Sequence, residues 1–155
     1  MAVCELVDAN ERHLADMITA GLREEDRREV ELATGEEPNF ALIDSYRASI
    51  RAWSILLDGR AIAMFGGVSR SLLSHTGIAW MLGCDDIVKV RAGVAKGTYR
   101  AINEGLGIFR RLENYVLDTN EISKKWLRWN GFTIEEPRPY GVSQAMFCHF
   151  YRDRG

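Results

Sequence analysis

The sequence is poor in cysteine. Its three cysteines, Cys4, Cys84 and Cys148, lie far apart along the chain. They form neither a CxxC pair nor a cysteine and histidine spacing that suits zinc. This excludes a disulfide-stapled fold and a recognisable zinc site. We therefore expect three buried or half-buried free thiols in a reducing compartment, and no metal.

The sequence also lacks an excess of either charge and lacks long apolar runs. Its 20 basic and 22 acidic residues give a net charge of -2, which favours neither a nucleic acid nor an anionic membrane surface as a partner. No run approaches the roughly 18 apolar residues that a membrane span needs, and the N-terminus has no apolar signal segment. We expect a soluble, intracellular protein whose 155 residues form one domain, 1–155.

Apolar periodicity predicts a mixed order of strands and helices. A first strand over residues 2–7 precedes a helix from Glu11, and the charged run "REEDRREVELATG" continues as a solvent-exposed helical face that Gly35 ends. Asp58 and Gly59 then join two apolar runs, which is the pattern of a β-hairpin, and "HTGIAWMLGC" adds another strand. The middle of the chain is thus predicted to be an antiparallel meander.

The second half of the chain alternates between helices and strands. A long helix is predicted to begin at Asp85 or Asp86. The segments after it are predicted to be a strand, a capped helix, a strand, a turn and a last strand: "NYVLD", "TNEISKKWLRWNG", "FTIEE", "PRPYG" and "SQAMFCHFY". The order β, α, α, β, β, β, α, β, α, β, β indicates a single α/β domain with a mixed, mostly antiparallel central sheet flanked by helices.

The helix that follows "NYVLD" carries a distinctive spacing. Asn120 is followed by Ser123, by Trp126 and by the pair Gly131-Phe132. This spacing, together with the order of elements, resembles the GNAT superfamily of acetyl-CoA-dependent N-acetyltransferases. The resemblance implies the GNAT fold, acetyl-CoA as the cofactor, and a gap between the fourth and fifth strands through which the cofactor enters. A gap filled by Trp80 or Tyr99 would argue against cofactor binding.

A second resemblance covers the C-terminal two fifths of the chain. The stretch "NYVLDTNEISKKWLRWNGFTIEEPRPYG", followed by "MFCHF", resembles the GNAT-like internal virion protein A family of short-tailed phages. That resemblance implies a phage-encoded protein with a role in the virion or in its assembly. It also implies phage or host proteins as partners, and the host cytoplasm during infection or the virion as its location. The oligomeric state is left open.

The GNAT resemblance implies a cofactor loop of the form Q/R-x-x-G-x-G/A. Backbone N–H groups at a helix start, together with the helix dipole, attract the pyrophosphate there. In "VRAGVAKG", Gly93 and Ala95 match the last part of this pattern, Val90 stands at the Gln/Arg position, and Arg91 lies one position later. The residues implied to bind cofactor are Arg91, Gly93, Ala95, Asn120 and Ser123. The alternative is that Gly93 and Gly97 are packing glycines within a helix.

The residues that usually catalyse acetyl transfer are missing from their usual places. Many GNAT enzymes have a tyrosine acid seven residues after the helix asparagine, and this chain has Leu127 there. The fourth strand has no glutamate to act as a base, which leaves His75, Asp85 and Glu113 as candidates. His75 is more readily interpreted as a surface histidine in a turn, and His149, in the terminal strand, is a weaker candidate still. Two hypotheses remain: a virion or assembly protein with decayed catalytic features, and an active N-acetyltransferase acting on a host protein or a small amine.

Overall fold

The computed structural model describes residues 3–155, so residue 2 of the predicted first strand lies outside the described residues. The strands are β1 Cys4–Asp8, β2 Ser49–Leu57, β3 Arg60–Ser69, β4 Thr76–Gly83, β5 Arg111–Leu117, β6 Thr133–Ile134, β7 Arg138–Tyr140 and β8 Ala145–Asp153. The α-helices are α1 Glu11–Ala20, α2 Glu24–Thr34, α3 Pro38–Ala48, α4 Arg91–Ile108 and α5 Glu121–Trp129, and a 3-10 helix spans Asp85–Val90.

The strands form one sheet in the order β1-β2-β3-β4-β5-β8-β6, and β7 also pairs with β8. Among the described strands, β4 and β5 pair in parallel, whereas every other pair is antiparallel. The predicted hairpin is confirmed, because Asp58 and Gly59 join β2 to β3 with φ values of 51° and 84°. Two positive φ values fit the tight turn that follows the twist of the strands. The prediction of a mixed, mostly antiparallel sheet is therefore confirmed.

Helices cover both faces of the sheet. On one face, Leu14 and Met17 of α1 and Leu42 of α3 pack against Met64 and Leu82 of the sheet. The opposite face is covered by α4 and α5, and its two clusters of buried residues contain Trp53, Phe65, Val94, Ala101, Leu112, Leu127 and Phe150. The sheet thus forms the middle layer of three, and its two faces can present different chemistry.

The prediction that a long helix begins at Asp85 or Asp86 is wrong at its start. Asp85–Val90 forms a 3-10 helix, and α4 begins only at Arg91. Because residues three apart align in a 3-10 helix, Ile87 and Val90 both face the core, where they pack against the cluster around Trp53. The apolar pattern of this segment therefore fits a three-residue repeat as well as a 3.6-residue one.

The predicted turn "PRPYG" is also different in the structure, because Arg138–Tyr140 forms β7 along the outer edge of β8. Pro139 lies opposite Met146 at that edge, where a missing N–H is tolerated. Tyr140 stacks on Tyr115 of β5, with 3.7 Å between the ring centroids. Aromatic packing thus holds a proline-containing segment in the sheet.

Candidate functional site

A V-shaped gap separates β4 from β5. The two strands pair only through Thr76–Ile78 and Arg111–Glu113, although β4 continues to Gly83 and β5 to Leu117. At the apex of the V, the side-chain amide of Asn114 donates to the carbonyl of Ala79 (2.6 Å) and its oxygen accepts from the N–H of Tyr115 (2.8 Å). One asparagine thus closes the narrow end of the gap.

Neither of the two aromatic residues considered in the sequence fills this gap. The indole N–H of Trp80 donates to Ser49 Oγ of β2 (2.7 Å), so its ring reaches across β3 and away from β5. Tyr99 lies on the exposed side of α4, where its ring packs against that of Trp129. Neither ring therefore occupies the space between the two strands.

Helix α2 closes the wide end of the gap. The N–H of Gly83, at the end of β4, donates to Asp26 Oδ2 (2.8 Å), and the carbonyl of Gly83 accepts from the N–H of Arg23 (2.9 Å). At the end of β5, the N–H of Leu117 donates to Glu29 Oε1 (3.3 Å). Two carboxylates of one helix therefore bridge the two strand ends.

This contact corrects the prediction of a solvated face for two residues of α2, Asp26 and Glu29, whereas Glu24, Glu25, Arg28 and Glu31 are exposed as expected. The side chain of Asp26 is only 13% exposed, and its burial raises its pKa to about 6, against the opposing effects of the Gly83 N–H and of Arg23. Burial also raises the pKa of Glu29, although the hydrogen bonds from Asn120 and Leu117 oppose this. Both groups face the gap instead of water.

Met81 lies between the closed ends of the gap. The N–H of Cys84 donates to Ile62 of β3, and successive residues of a strand direct their backbone groups to opposite sides. The N–H and C=O groups of Ala79, Met81 and Gly83 are therefore directed toward the gap. Asn114 occupies the carbonyl of Ala79, and Asp26 and Arg23 occupy the N–H and carbonyl of Gly83. The backbone of Met81 is therefore the part of β4 that a molecule in the gap would meet first.

A narrow apolar cavity of about 80 Å³ adjoins the gap on the face covered by α4 and α5. Met81, Ala101, Ile102, Trp126 and Leu127 are among the residues that line it. Leu127, the residue at the usual place of the tyrosine acid, thus borders the cavity with an apolar side chain. The cavity can hold a thin, uncharged chain. Leu127 cannot donate a proton into it.

The N-terminus of α4 lies on the same face of the sheet but over β1, and β2 and β3 separate it from β4. Its N-cap residue, Val90, makes no side-chain hydrogen bond to the helix, and its first turn holds Arg91 but no acidic residue. Gly93 lies in this turn and packs on β1, because a Cβ atom placed there would approach Cys4 Sγ to 2.8 Å. Ala95 follows half-buried. Sequence-predicted Arg91, Gly93 and Ala95 therefore lie together at a helix end that favours anions.

The acidic residues before α4 differ in their surroundings. Asp86 pairs with Arg60 (2.6 Å) and Lys89 (3.0 Å), and these cations lower its pKa. Asp85, a candidate base in the sequence, is exposed at the start of the 3-10 helix. The 3-10 helix thus separates Asp85 from the first turn of α4.

Asn120 and Ser123 meet at the start of α5. The side-chain oxygen of Asn120 accepts from the N–H of Ser123 (3.2 Å), and its amide donates to Glu29 Oε1 (2.7 Å). Asn120 therefore caps α5 and ties it to α2 at the same time. Both ends of this side chain have protein partners, so a bound molecule would have to compete for them.

Of the three candidate bases, only Glu113 belongs to a cluster with other chemically active side chains. Its Oε2 accepts from Arg70 Nη1 (2.7 Å), and its Oε1 lies 3.1 Å from His149 Nε2. His149 Nδ1 lies 2.6 Å from Glu135 Oε1. His75 is exposed in the loop between β3 and β4. The sequence did not single out His149, since it lies 36 positions from Glu113 and only the pairing of β5 with β8 brings the two together.

The described residues have three further properties. No group of three or more histidine, cysteine or acidic side chains in residues 3–155 is arranged to hold a metal ion. Within the same range, no helix is long and apolar enough to cross a membrane. The predicted thiols are confirmed as free cysteines, with Cys84 and Cys148 buried and Cys4 half-buried.

Comparison with solved structures identifies the fold. No protein-family model matches the sequence, and no curated protein matches it. The chain is similar to an acetyltransferase of the GNAT family from Streptococcus pneumoniae, with 17% identity over 99% of this chain and 100% of the other and a TM-score of 0.69. A spermidine N-acetyltransferase from Vibrio cholerae, in complex with CoA and spermine, gives 12% identity, 97% and 95% coverage and a TM-score of 0.71.

A third similar structure is the ribosomal-protein-S5-alanine acetyltransferase from Vibrio fischeri, with 10% identity, 99% and 97% coverage and a TM-score of 0.68. The chain thus has the GNAT acetyltransferase fold over its full described length, as the sequence resemblance implied. None of these three structures is described as a phage or virion protein. The resemblance to the phage family stays a prediction from the sequence.

Proposed function

We propose that this protein is an acyl-CoA-dependent N-acyltransferase that uses acetyl-CoA. The observation that carries the proposal is the V-shaped gap between β4 and β5, bordered by the backbone of Met81. A purely structural domain has no need for two central strands that separate after three residue pairs, since each separated strand loses hydrogen bonds.

Two regions on the α4 face of the sheet fit the two chemical parts of CoA. The uncapped first turn of α4, with Arg91 and without a carboxylate, suits phosphate groups. The apolar cavity beside Met81 and Leu127 suits the thin, uncharged chain that carries the thiol. When bound, acyl-CoA supplies an acyl group on a thioester, which is activated for attack by an amine.

The chain's own residues would hold the acyl group in place and polarise its carbonyl. We infer that the N–H of Met81, directed into the gap, donates to the acyl carbonyl oxygen and stabilises the negative charge that develops there. Asn114 keeps the apex from opening, and α2 fixes the far ends of both strands. Because Leu127 cannot donate a proton, we expect the leaving thiolate to be protonated from water or by another group.

A second candidate function is a non-catalytic virion or assembly protein that binds phage or host proteins. The sequence resemblance of the C-terminal two fifths supports it, as do Leu127 and the full engagement of Asn120 by Ser123 and Glu29. None of the three similar structures named above supports it. The two candidates differ in one measurable property, which is the binding of acyl-CoA.

Thermal unfolding with acetyl-CoA tests the proposal. A ligand at about 100 times its Kd stabilises the folded state by about 2.7 kcal/mol, which for a chain of this size raises the Tm by about 5–10 °C. We expect such a rise at 1 mM acetyl-CoA, together with CoA release when amines are added. No rise at millimolar acetyl-CoA would overturn the acyltransferase proposal in favour of the non-catalytic candidate.

A matched pair of variants locates the binding site. Ala92 is exposed in the first turn of α4, so Ala92→Glu adds a negative charge there without disturbing the core. We expect Ala92→Glu to weaken acetyl-CoA binding at least tenfold and Ala92→Gln to leave it nearly unchanged. Gly93→Glu is unsuitable for this purpose, because its side chain would collide with Cys4. Equal affinities for the two variants would show that phosphate does not bind at α4.

A further inference from the structure

The apolar cavity extends farther than the gap that it adjoins. Met81 of β4 lies opposite Phe65 of β3, and Phe65 lies opposite Trp53 of β2, so the three side chains form a cross-strand row on the face that α4 covers. All three line the cavity. Because neighbouring strands lie about 4.8 Å apart, the row runs for about 10 Å from the edge of the gap. The cavity therefore leads from Met81 away from β5, beneath α4 and toward β2.

Helix α4 covers this part of the cavity with small residues. Ala101 and Gly105, one turn apart, both line the cavity and are both buried. A Cβ atom placed at Gly105 would lie 3.4 Å from Leu112 Cδ1 and 3.9 Å from Trp53 Cη2, which are ordinary contact distances. Any larger side chain at this position would narrow the cavity. The helix backbone thus lies over the cavity without filling it.

The polar side chains of the lining have their partners outside the cavity. Thr98 is fully buried, and its hydroxyl donates to a carbonyl of its own helix (2.9 Å). Arg51, at the β2 end, has its guanidinium carbon 5.0 Å from the centre of the Trp53 ring. The same guanidinium pairs with Asp8 (2.9 Å) and Glu104 (3.5 Å). A buried water molecule needs roughly two to four polar partners, so this space suits an apolar ligand better than water.

The cavity is larger than an acetyl group requires. A water molecule needs roughly 10–15 Å³ of such a volume, so about 80 Å³ has room for about five to eight groups of that size. The methyl of an acetyl group is a single group of that size. Protein interiors contain few voids larger than a water molecule, because atoms around unfilled space lose van der Waals contacts. A cavity of this size beside a site for acyl-CoA therefore indicates a longer group that fills it.

We propose that the cavity holds the acyl chain of the donor, and that this chain is apolar and longer than acetyl, with about four to eight carbon atoms. This inference rests on the proposed acyltransferase function and extends its donors from acetyl-CoA to longer acyl-CoA thioesters. The acyl carbonyl lies at the N–H of Met81, the thiol-bearing chain runs beside Leu127, and the acyl chain runs beneath α4 toward Trp53.

The transfer is the same for every chain length. The amine nitrogen forms a bond to the acyl carbon, and the carbon–sulfur bond breaks. The thiolate leaves with the electron pair and takes up the proton that the nitrogen releases. The length of the acyl chain therefore acts on binding, where it can be measured without an acceptor amine.

Titration calorimetry with acetyl-, butyryl-, hexanoyl- and octanoyl-CoA tests this inference. Burying one CH₂ group strengthens binding about fourfold, so we expect hexanoyl-CoA to bind at least about tenfold more tightly than acetyl-CoA. Dissociation constants that stay level from acetyl to octanoyl, or that rise with each added carbon, would overturn this inference while the acyltransferase function stands. If none of the four thioesters binds, the proposed function and this inference are both overturned.

Two variants of α4 test whether the chain lies in the cavity. Ala101→Leu fills part of the cavity and should lower the preference for hexanoyl-CoA over acetyl-CoA at least about tenfold. Ala15→Leu, the same change at an exposed position of α1, should leave that preference unchanged. Ile102→Ala enlarges the cavity and should shift the preference toward octanoyl-CoA, a gain that a misfolded protein cannot give. If Ala101→Leu melts like the wild type and keeps its chain preference, the chain lies elsewhere and the inference is overturned.

Discussion

Replacing Asp26 by asparagine is expected to stabilise the protein at neutral pH. The Asp26 carboxyl has a pKa of about 6 in the folded chain, against an ordinary value of 3.8, mainly because it is buried. It therefore binds its proton more tightly when the chain is folded. The resulting contribution to stability is complete below about pH 3.8 and is lost as the pH rises through about 6.

The size of the effect follows from the same two values. A difference of about 2 between the folded and ordinary pKa corresponds to about 3 kcal/mol at a pH above both. Asp26→Asn keeps an oxygen that can accept from the N–H of Gly83, and Arg23 keeps Glu25 as a partner. We expect the variant to be about 3 kcal/mol more stable than the wild type at pH 7.5, and equally stable near pH 4.

Urea unfolding of both proteins at several pH values between 4 and 8 measures this difference. His13 also titrates, and since burial lowers its pKa, its contribution to stability is lost as the pH falls below about 6.5. That contribution is common to both proteins and cancels in the difference. Asp86→Asn is a control for which the change in stability has the opposite sign. Arg60 and Lys89 lower the pKa of Asp86, so this variant should be less stable than the wild type at neutral pH. A difference between wild type and Asp26→Asn that does not change with pH would refute the burial argument.

Two further predictions concern packing and capping, and urea unfolding measures both. Gly97→Ala should destabilise the protein by about 1–3 kcal/mol, because the new Cβ would lie 2.5 Å from Ile55 Cδ1, whereas Gly107→Ala meets no atom within 4 Å and should gain about 0.5–1 kcal/mol. Asn120→Asp keeps a good capping residue but places a second carboxylate against Glu29, so it should be less stable than Asn120→Ser at pH 7. The difference in the free energy of unfolding between Asn120→Asp and Asn120→Ser should become smaller at pH 4.

The fold could be predicted because its signals are local. The Asp58-Gly59 turn fixes the β2–β3 hairpin, and Gly35 ends α2 in the left-handed conformation, with a φ of 72°. Asn120 caps α5, as its position before the apolar helix indicated. Each of these features depends on residues a few positions apart. Periodicity and turn chemistry therefore sufficed for the order of the elements.

The contact between Glu113 and His149 could not be predicted in the same way. Glu113 and His149 belong to different strands, and only the register of β5 with β8 brings their side chains to the same face. A histidine in an alternating strand gives no sign of which residue will lie opposite. The sequence could nominate Glu113 alone, and its partner depended on a pairing that local patterns do not encode.

The buried carboxylates of α2 show how the gap itself produces side chains that sequence patterns misjudge. A charge run is normally solvated, because burying an ionised carboxylate without partners is costly. Where β4 and β5 separate, however, Gly83 and Leu117 direct N–H groups away from their remaining partner strands and need acceptors. Asp26 and Glu29 supply those acceptors from α2, and the hydrogen bonds offset part of the cost of burying the two carboxylates. The same separation opens the space in which an acyl group would lie. The raised pKa values of Asp26 and Glu29 and the candidate site therefore have the same structural origin.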